Sequence, residues 1–364
     1  MSVLPRLKSV SCLANDGRVV VILDPRTRVE LADPTGQVLK LLHLLAEGTR
    51  DAAALAAELS TVDVQVGEDE IATALGELDR LGWLEDAAAP RPLSETERER
   101  HYSNLAFFDG FTSLTRSRES IQQQLRDAHV LVLGVGGLGS AVVQNLVGLG
   151  VGRLTLLDHD TVALRNFVRQ FTYTPAQLGQ PKVEQVAAWV REFDPTVEVT
   201  AVHQEVTGAA SVAALLPGVD FVVMTIDTPN DVDRWVNQAC VDAGIPFVRG
   251  GLAYLQGLYW SVDPGRSACR ACLDTYRDRL AADEEVMSWP LVMERAMVNR
   301  GIGPVATILG GLMAMEALRY LTGIAAPVAA GTYHLVDFTG DCRISTDPWP
   351  REPGCPACGV GEAA

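Results

Sequence analysis

The chain has no surplus of positive charge. Its 30 Lys and Arg stand against 46 Asp and Glu, a formal net charge of −16. Nothing general is available to neutralise phosphates, which excludes broad nucleic-acid binding and docking on an anionic membrane. A nucleotide would have to be met by cations gathered locally. No apolar run reaches membrane-spanning length without a glycine or a charge, and the opening MSVLPRLKSVSCLANDGR lacks the pattern of a secretory signal. There is no internal repeat, and the six His are scattered without forming a ligand pair or triad. A disulfide framework is excluded too. Seven Cys is an odd number and four of them fall in close pairs, which points to a reducing cytoplasm and metal binding. Cys12, Cys240 and Cys342 are left over and read as plain thiols.

What the chain does have is 364 residues, 48% of them apolar, enough for two domains or one large one with a full core. Residues 1–88 read as a separate module. RVVVILDP and TRVELADP are two short strands joined by a Pro-Arg turn, and three helical stretches follow. The first stops at Gly48, and the third places Ile71, Leu75, Leu78 and Leu81 on one face. Strands followed by three helices predict a winged-helix-like fold. Residues 89–120, rich in Pro, Ala and charge, read as a linker and interface segment. From 121 to 364 apolar strands alternate with helices, which predicts an α/β domain: a Rossmann-like, doubly wound, mostly parallel sheet covered on both faces.

Chemistry concentrates in this second part. HVLVLGVG is a buried strand, and Gly134, Gly136, Gly137 and Gly139 form a G-x-G-x-x-G turn that opens the next helix. Backbone N–H groups there can cradle phosphates at the positive helix end. Asp158 ends the following strand and can bind ribose hydroxyls, so up to this point a nicotinamide enzyme fits equally well. The next residues favour ATP chemistry. LDHDTVALRNFVRQF gathers Asp158, Asp160, Asn166, Arg169 and Gln170, LGQPKVE supplies Lys182 at a helix start, and MTIDTPNDVDRW ends a strand at Asp227. A carboxylate attacking the α-phosphorus of ATP builds charge on non-bridging oxygens, which Arg, Lys and Mg²⁺ offset. Asp227 can hold the Mg²⁺, or serve as a helix cap. Cys269 with Cys272 and Cys355 with Cys358 form two Cys-x-x-Cys pairs, suited to a closed tetrahedral Zn²⁺ site. A redox pair is the alternative.

The run D-x-D-x-V, N-x-x-R-Q, G-x-P-K-V-E resembles the ThiF/MoeB superfamily, the fold of ubiquitin-activating enzymes and their bacterial relatives, over roughly residues 100–360. That resemblance implies ATP as substrate, Asp158 on the ribose, Arg169 and Lys182 on the phosphates, Asn166 and Gln170 shaping the pocket, Mg²⁺ on Asp227, a structural zinc on the four cysteines, and a homodimer. HYSNLAFFDGF and DTPNDVDRWVNQACVDAGIPFVRGGL are similar to the MccB-like peptide-adenylating branch. The N-terminal module resembles PqqD-like peptide-recognition elements, so a ribosomally made precursor peptide is the implied partner. The family's Arg-Tyr-Ser/Asn-Arg step reads His101-Tyr102-Ser103-Asn104 here, with Arg98, Arg100 or Arg116 as substitutes. No nucleophilic Cys stands in 274–303, so no thioester step is expected. The expectation is ATP-dependent adenylation of a peptide C-terminal carboxylate. Activation of a ubiquitin-like sulfur carrier, a non-catalytic peptide-presenting scaffold and, more remotely, a nicotinamide oxidoreductase stand as rivals.

Overall fold

The computed structural model describes residues 3–15, 17–24, 27–62, 64–253, 255–283 and 299–359. It divides into two units, Met1–Gln123 and Gln124–Ala364.

In the first unit β1 (Pro5–Leu7) precedes a hairpin sheet of β2 (Ser11–Asn15), β3 (Arg18–Asp24) and β4 (Thr27–Ala32). Helices α1 (Gln37–Glu47), α2 (Ala52–Leu59) and α3 (Glu68–Arg80) follow, and β5 (Leu84–Asp86) returns to pair antiparallel with β1. Strands β2, β3 and β4 are antiparallel in that order. Gly48 closes α1 in the left-handed conformation, φ 64°, which glycine adopts without a Cβ clash. Asp51 caps α2 by accepting from Ala54 N at 3.0 Å. Val19, Val21, Leu45, Leu55, Ile71, Leu75, Leu78 and Trp83 form one core. Leu81, expected on the buried face of α3, is instead 36% exposed, because the helix ends at Arg80 and Leu81 caps it. Trp83, 1% exposed, fills the core after the turn.

The segment expected as a linker is partly helical. It carries α4 (Glu95–Arg100) and α5 (Tyr102–Phe108). Ser94 and Glu97 form a reciprocal cap, Ser94 N donating to Glu97 Oε2 at 2.7 Å and Glu97 N to Ser94 Oγ at 3.2 Å. Arg98 is engaged locally, donating to Leu93 O at 2.5 Å and lying 4.0 Å from Glu119. Helix α6 (Arg118–Asp127) closes the segment.

The second unit alternates β6 (His129–Leu133), α7 (Gly137–Leu149), β7 (Arg153–Leu157), α8 (Lys182–Phe193), β8 (Glu198–Val202), α9 (Ala209–Ala213), β9 (Phe221–Met224), α10 (Val232–Ala243) and β10 (Phe247–Ala253). It continues as β11 (Gln256–Val262), α11 (Arg270–Asp283), α12 (Gly303–Thr322), β12 (Thr332–Asp337) and β13 (Ile344–Pro348). One sheet runs β13-β12-β11-β10-β9-β6-β7-β8. The strands from β10 to β8 are parallel, and β11, β12 and β13 extend the sheet antiparallel. The sheet is therefore mixed, with the expected doubly wound half at one end.

Both faces are covered. Leu131, Leu133, Val222 and Met224 pack with Val236 and Cys240 of α10, while the alternate residues Val130, Val132, Phe221 and Val223 are equally buried. Phe221 meets Tyr320 of α12, ring centroids 5.1 Å apart. Helix α12 is long and apolar enough to cross a membrane by composition, but it packs on α7, β9, β10 and β11. Its Glu316, fully buried, accepts from Ser261 Oγ and Ala329 N, both at 2.9 Å, and pairs with Arg319 at 3.0 Å. These are the features of a core helix.

Candidate functional site

The glycine turn leaves the C-terminal end of β6, where a parallel sheet opens its crevice. Gly134 holds φ +89°, and a Cβ on Gly139 would overlap the Gly134 carbonyl oxygen, so neither position accepts a larger residue without strain. The turn is pinned from several sides. Gly134 N donates to Leu157 O at 2.8 Å, and Thr225 Oγ1 donates to Gly134 O at 2.9 Å. Val135 is held at both ends, its N–H by Asp158 Oδ2 at 2.8 Å and its carbonyl by the Tyr173 hydroxyl at 3.0 Å. Burial, reinforced by the Asp158 charge, pushes the Tyr173 hydroxyl well above its ordinary pKa and keeps it a donor. A fixed turn leaves the first N–H groups of α7 without intrahelical acceptors and aimed into the crevice.

The polar run after β7 converges on that turn. Asp158, 7% exposed, also accepts from Asp160 N at 2.8 Å with Oδ1. Lys182, 6% exposed, donates from Nζ to Asp160 Oδ2 at 2.6 Å, while its backbone N–H bonds Asp160 O at 2.9 Å. Arg169 is half-buried over the turn: a Cβ on Gly137 would stand 2.8 Å from Arg169 Cδ. Its recorded hydrogen bond is long, Nη1 to Arg165 O at 3.5 Å. Burial first, then the like charge of Arg165, lowers the Arg169 pKa, although a guanidinium stays cationic at working pH. Gln170 is 2% exposed beside Gly136, and its Oε1 accepts from no donor among the described residues. An orphaned buried oxygen next to a phosphate-type turn suits a ligand contact. Asn166 is buried and turns inward on its own loop, accepting from Ala163 N at 2.8 Å.

Asp227 stands apart. It is exposed beyond β9 and belongs to no cluster of three potential metal ligands among the described residues. The alternative of a helix cap is corrected, since Asp231 is the cap residue of α10. Two contributors were invisible in the sequence pattern, Tyr173 and Thr225, because their partners are backbone carbonyls far along the chain. His159, expected without a role, lies within 4.8 Å of Asp158 and Asp160 by its ligand atom.

Asp160 yields a pH prediction. Burial acts to raise its pKa, but the hydrogen bond and charge of Lys182, with His159 and Arg165, outweigh it and hold the carboxyl below the usual range. A depressed folded-state pKa adds stability in full above the unfolded value of about 3.9, lost as pH falls through the folded value. The melting-temperature gap between wild type and Asp160→Asn is therefore expected to shrink as pH drops from about 5 towards 2. A gap that does not vary with pH would count against the pair.

The four paired cysteines meet at a second centre. Their Sγ atoms all lie within 4.8 Å of one another, with Cys269–Cys272 at 3.9 Å, Cys269–Cys355 at 3.6 Å and Cys272–Cys358 at 3.3 Å. A tetrahedral Zn²⁺ with bonds of about 2.3 Å needs S···S edges of about 3.8 Å, so the donor set fits. Burial pushes the Cys272 thiol up to about 11 and raises Cys269 further. At Cys355 burial is outweighed by the backbone N–H groups of Cys358 and Ala357, which lower its pKa. Glu352 N donates to Cys272 Sγ at 3.4 Å, Asn237 Nδ2 to Cys269 Sγ at 3.8 Å and Trp349 Nε1 to Cys269 O at 3.0 Å. Such outer contacts orient metal-binding thiolates. Cys240 is buried with its pKa raised to about 12, and Cys12 and Cys342 are exposed. Residues 284–298, part of the stretch without a nucleophilic Cys, lie outside the described residues.

The ThiF family model matches residues 109–357. The chain is 34% identical over 244 residues to the molybdopterin-synthase adenylyltransferase of Escherichia coli (strain K12), covering 65% of this chain and 90% of that protein. It is 33% identical over 248 residues to the sulfur carrier protein ThiS adenylyltransferase of the same organism, covering 66% and 90%. Among solved structures it is similar in fold to E. coli MccB with ATP, TM-score 0.73 at 17% identity, covering 98% of this chain and 99% of that one. MccB in complex with N-formylated MccA gives a TM-score of 0.71 at 17% identity over the same shares.

Proposed function

The chain belongs to the ThiF family and is an ATP-dependent adenylyltransferase of the ThiF/MoeB type, and on that premise we propose that it activates the C-terminal carboxylate of a ribosomally made peptide. The observation that carries this reading is the extent of the fold likeness. The family match begins at residue 109 and the carrier-activating relatives align over 65% of the chain, whereas the likeness to MccB runs over 98% of it, the small first unit included. Solved structures of MccB include complexes with MccA-N7isoASN and with N-formylated MccA.

In this reading the N–H groups between Gly134 and Gly139 hold the ATP phosphates and Asp158 the ribose. Asn166 and Gln170 bound the pocket. Arg169 and Lys182 offset the charge that develops on the α-phosphate as the carboxylate attacks and pyrophosphate departs. Asp227 offers one exposed hard oxygen at the crevice, which suits Mg²⁺, an ion that commonly takes one or two carboxylates and completes its shell with phosphates and water. When bound there the ion supplies further charge neutralisation. The cysteine centre holds Zn²⁺ as a closed structural site. The edge strand β2, all five residues exposed, accepts the peptide as an added strand in the manner of PqqD-like modules. A homodimer is supported by exposed Leu164, Val168 and Phe171 beside the polar run, 75%, 60% and 60% accessible.

ATP–pyrophosphate exchange by the purified chain tests the proposal. Exchange is expected with peptides bearing a free C-terminal carboxylate and not with their amides. The second reading, activation of a ubiquitin-like sulfur carrier, is favoured by the higher identity to carrier-activating enzymes. Exchange with a carrier ending in Gly-Gly, and none with peptides, would replace the first reading by the second. Exchange with neither would overturn both readings of the acyl substrate.

A further inference from the structure

Arg249 lies at the crevice edge and has no part in the chemistry described so far. It sits in β10 opposite Met224 of β9, one residue short of Thr225, whose hydroxyl bonds the glycine turn. Two strand spacings of about 4.8 Å separate β10 from β6, so its Cα lies roughly 10 Å from the turn. The end of β10 also approaches Arg169: a Cβ on Gly301 would stand 3.2 Å from Arg169 Cδ and 3.4 Å from Leu252 Cδ1.

Strand alternation decides where the side chain goes. Gly250 faces α7 and α12, where a Cβ would overlap Met313 and stand 3.2 Å from Leu138. Arg249 therefore faces α10. Gly251 clears its way, since a Cβ there would overlap Arg249 Nη1, and the guanidinium runs over it towards the C-terminal strand edge. Its Nε donates to Asp233 Oδ1 at 3.2 Å. The side chain is only 14% exposed, yet Nη1 and Nη2 meet no acceptor among the described residues. Arg270 Nε stands 3.9 Å from the other oxygen of Asp233, but Arg270 pairs with Asp274, so Asp233 is left as the ion partner of Arg249 through Nε alone. A guanidinium held at Nε, with Nη1 and Nη2 open to solvent and facing no acceptor among the described residues, can offer two parallel N–H donors to a carboxylate.

We infer that Arg249 binds a carboxylate of the acyl substrate at the C-terminal edge of the sheet. This rests on the adenylation reading, which requires an acyl substrate, but not on that substrate being a peptide. The carboxylate is either the reacting terminal one or an acidic side chain close to the terminus.

The test is pyrophosphate exchange by the full chain with every acyl substrate that supports it. Arg249→Gln is expected to raise the acyl KM tenfold or more and to leave the ATP KM within twofold, with Arg249→Lys between, at unchanged circular dichroism. An unchanged acyl KM overturns the inference, and so does an equal rise in both constants, which a structural ion pair would give. Peptides with Asp or Glu near the terminus are compared with their Asn or Gln analogues. A tenfold wild-type loss that Arg249→Gln abolishes assigns the contact to the side chain. An equal penalty on both analogues assigns it to the reacting carboxylate. If only a Gly-Gly carrier is active, the peptide reading fails while Arg249 is read on that carrier. If nothing supports exchange, the Arg249 Nε–Hε resonance, assigned through Arg249→Lys, is titrated with glycylglycine in the presence of ATP. A shift that glycylglycinamide does not reproduce supports the contact, and no shift overturns it.

Discussion

Lys182→Ala is expected to lower adenylate formation by roughly 10²-fold or more, the usual loss when one transition-state donor is removed. Lys182 is 6% exposed and reaches Asp160 at 2.6 Å, so its charge is held in a low-dielectric setting where a developing negative charge feels it strongly. Folding should tolerate the change better than activity does. The Asp160 side chain is 55% exposed and can turn to water once its partner has gone. Arg169→Ala should lose a similar factor, because its guanidinium lies over Gly137 with one long hydrogen bond to restrain it. The two effects should fall short of additive, since both act on the same phosphate charge. Initial rates of pyrophosphate exchange at saturating ATP, with thermal melts alongside, check this. Full activity in either variant, with the melt unchanged, would remove that residue from the proposed chemistry.

These residues could be chosen from the sequence because their spacing is set by local structure. The buried strand β6, the turn and the start of α7 form one continuous segment, and Lys182 opens α8, so the chain alone shows which polar groups end up at strand ends. The parallel half of the sheet was legible for the same reason, in apolar runs separated by helical periodicity. The outermost strand β13, and β2 of the first unit, were not. All five residues of β13 are exposed, as are those of β2, so neither strand has an apolar alternation to announce it. The hairpin from β2 to β3 did carry a sign, an Asp-Gly pair ending in Gly17 at φ +77°. Helix α4 carried one too, in the Ser94 and Glu97 capping box. Leu81 shows the limit of periodicity: a helical stripe does not say at which residue the helix stops. Support of the glycine turn by Tyr173, and of the cysteine centre by Trp349, was beyond any pattern. Each rests on a single bond to a distant carbonyl, at 3.0 Å in both cases.

The cysteine centre should give the other large effect. Cys355→Ser is expected to remove the zinc and a large share of the stability of the second unit. Structural zinc sites contribute on the order of 10 kcal/mol, comparable with the whole stability of a typical domain, about 5–15 kcal/mol. The geometry says where the loss would act. Cys269 and Cys272 stand at the start of α11, Cys355 and Cys358 after β13, so an ion held there would tie the segment after β13 to the α10 face of the sheet. Cys269, Cys272 and Cys355 belong to the same core cluster as Trp260 and Trp349, whose rings lie 5.9 Å apart. Losing the ion would leave Cys269 and Cys272 as thiols that burial drives towards the neutral form, with the Cys272 thiol at about 11. Because the ligands bind as thiolates, zinc affinity should fall as pH is lowered. Elemental analysis of freshly purified protein should find one zinc per chain. Chelation should lower the melting temperature in wild type, shift the Trp349 and Trp260 emission, and do little to Cys355→Ser. Cys240→Ala, a change at a buried cysteine outside the cluster, should retain the metal. Absence of zinc from the fresh protein, or a melt indifferent to both chelator and Cys355→Ser, would end the structural-zinc assignment.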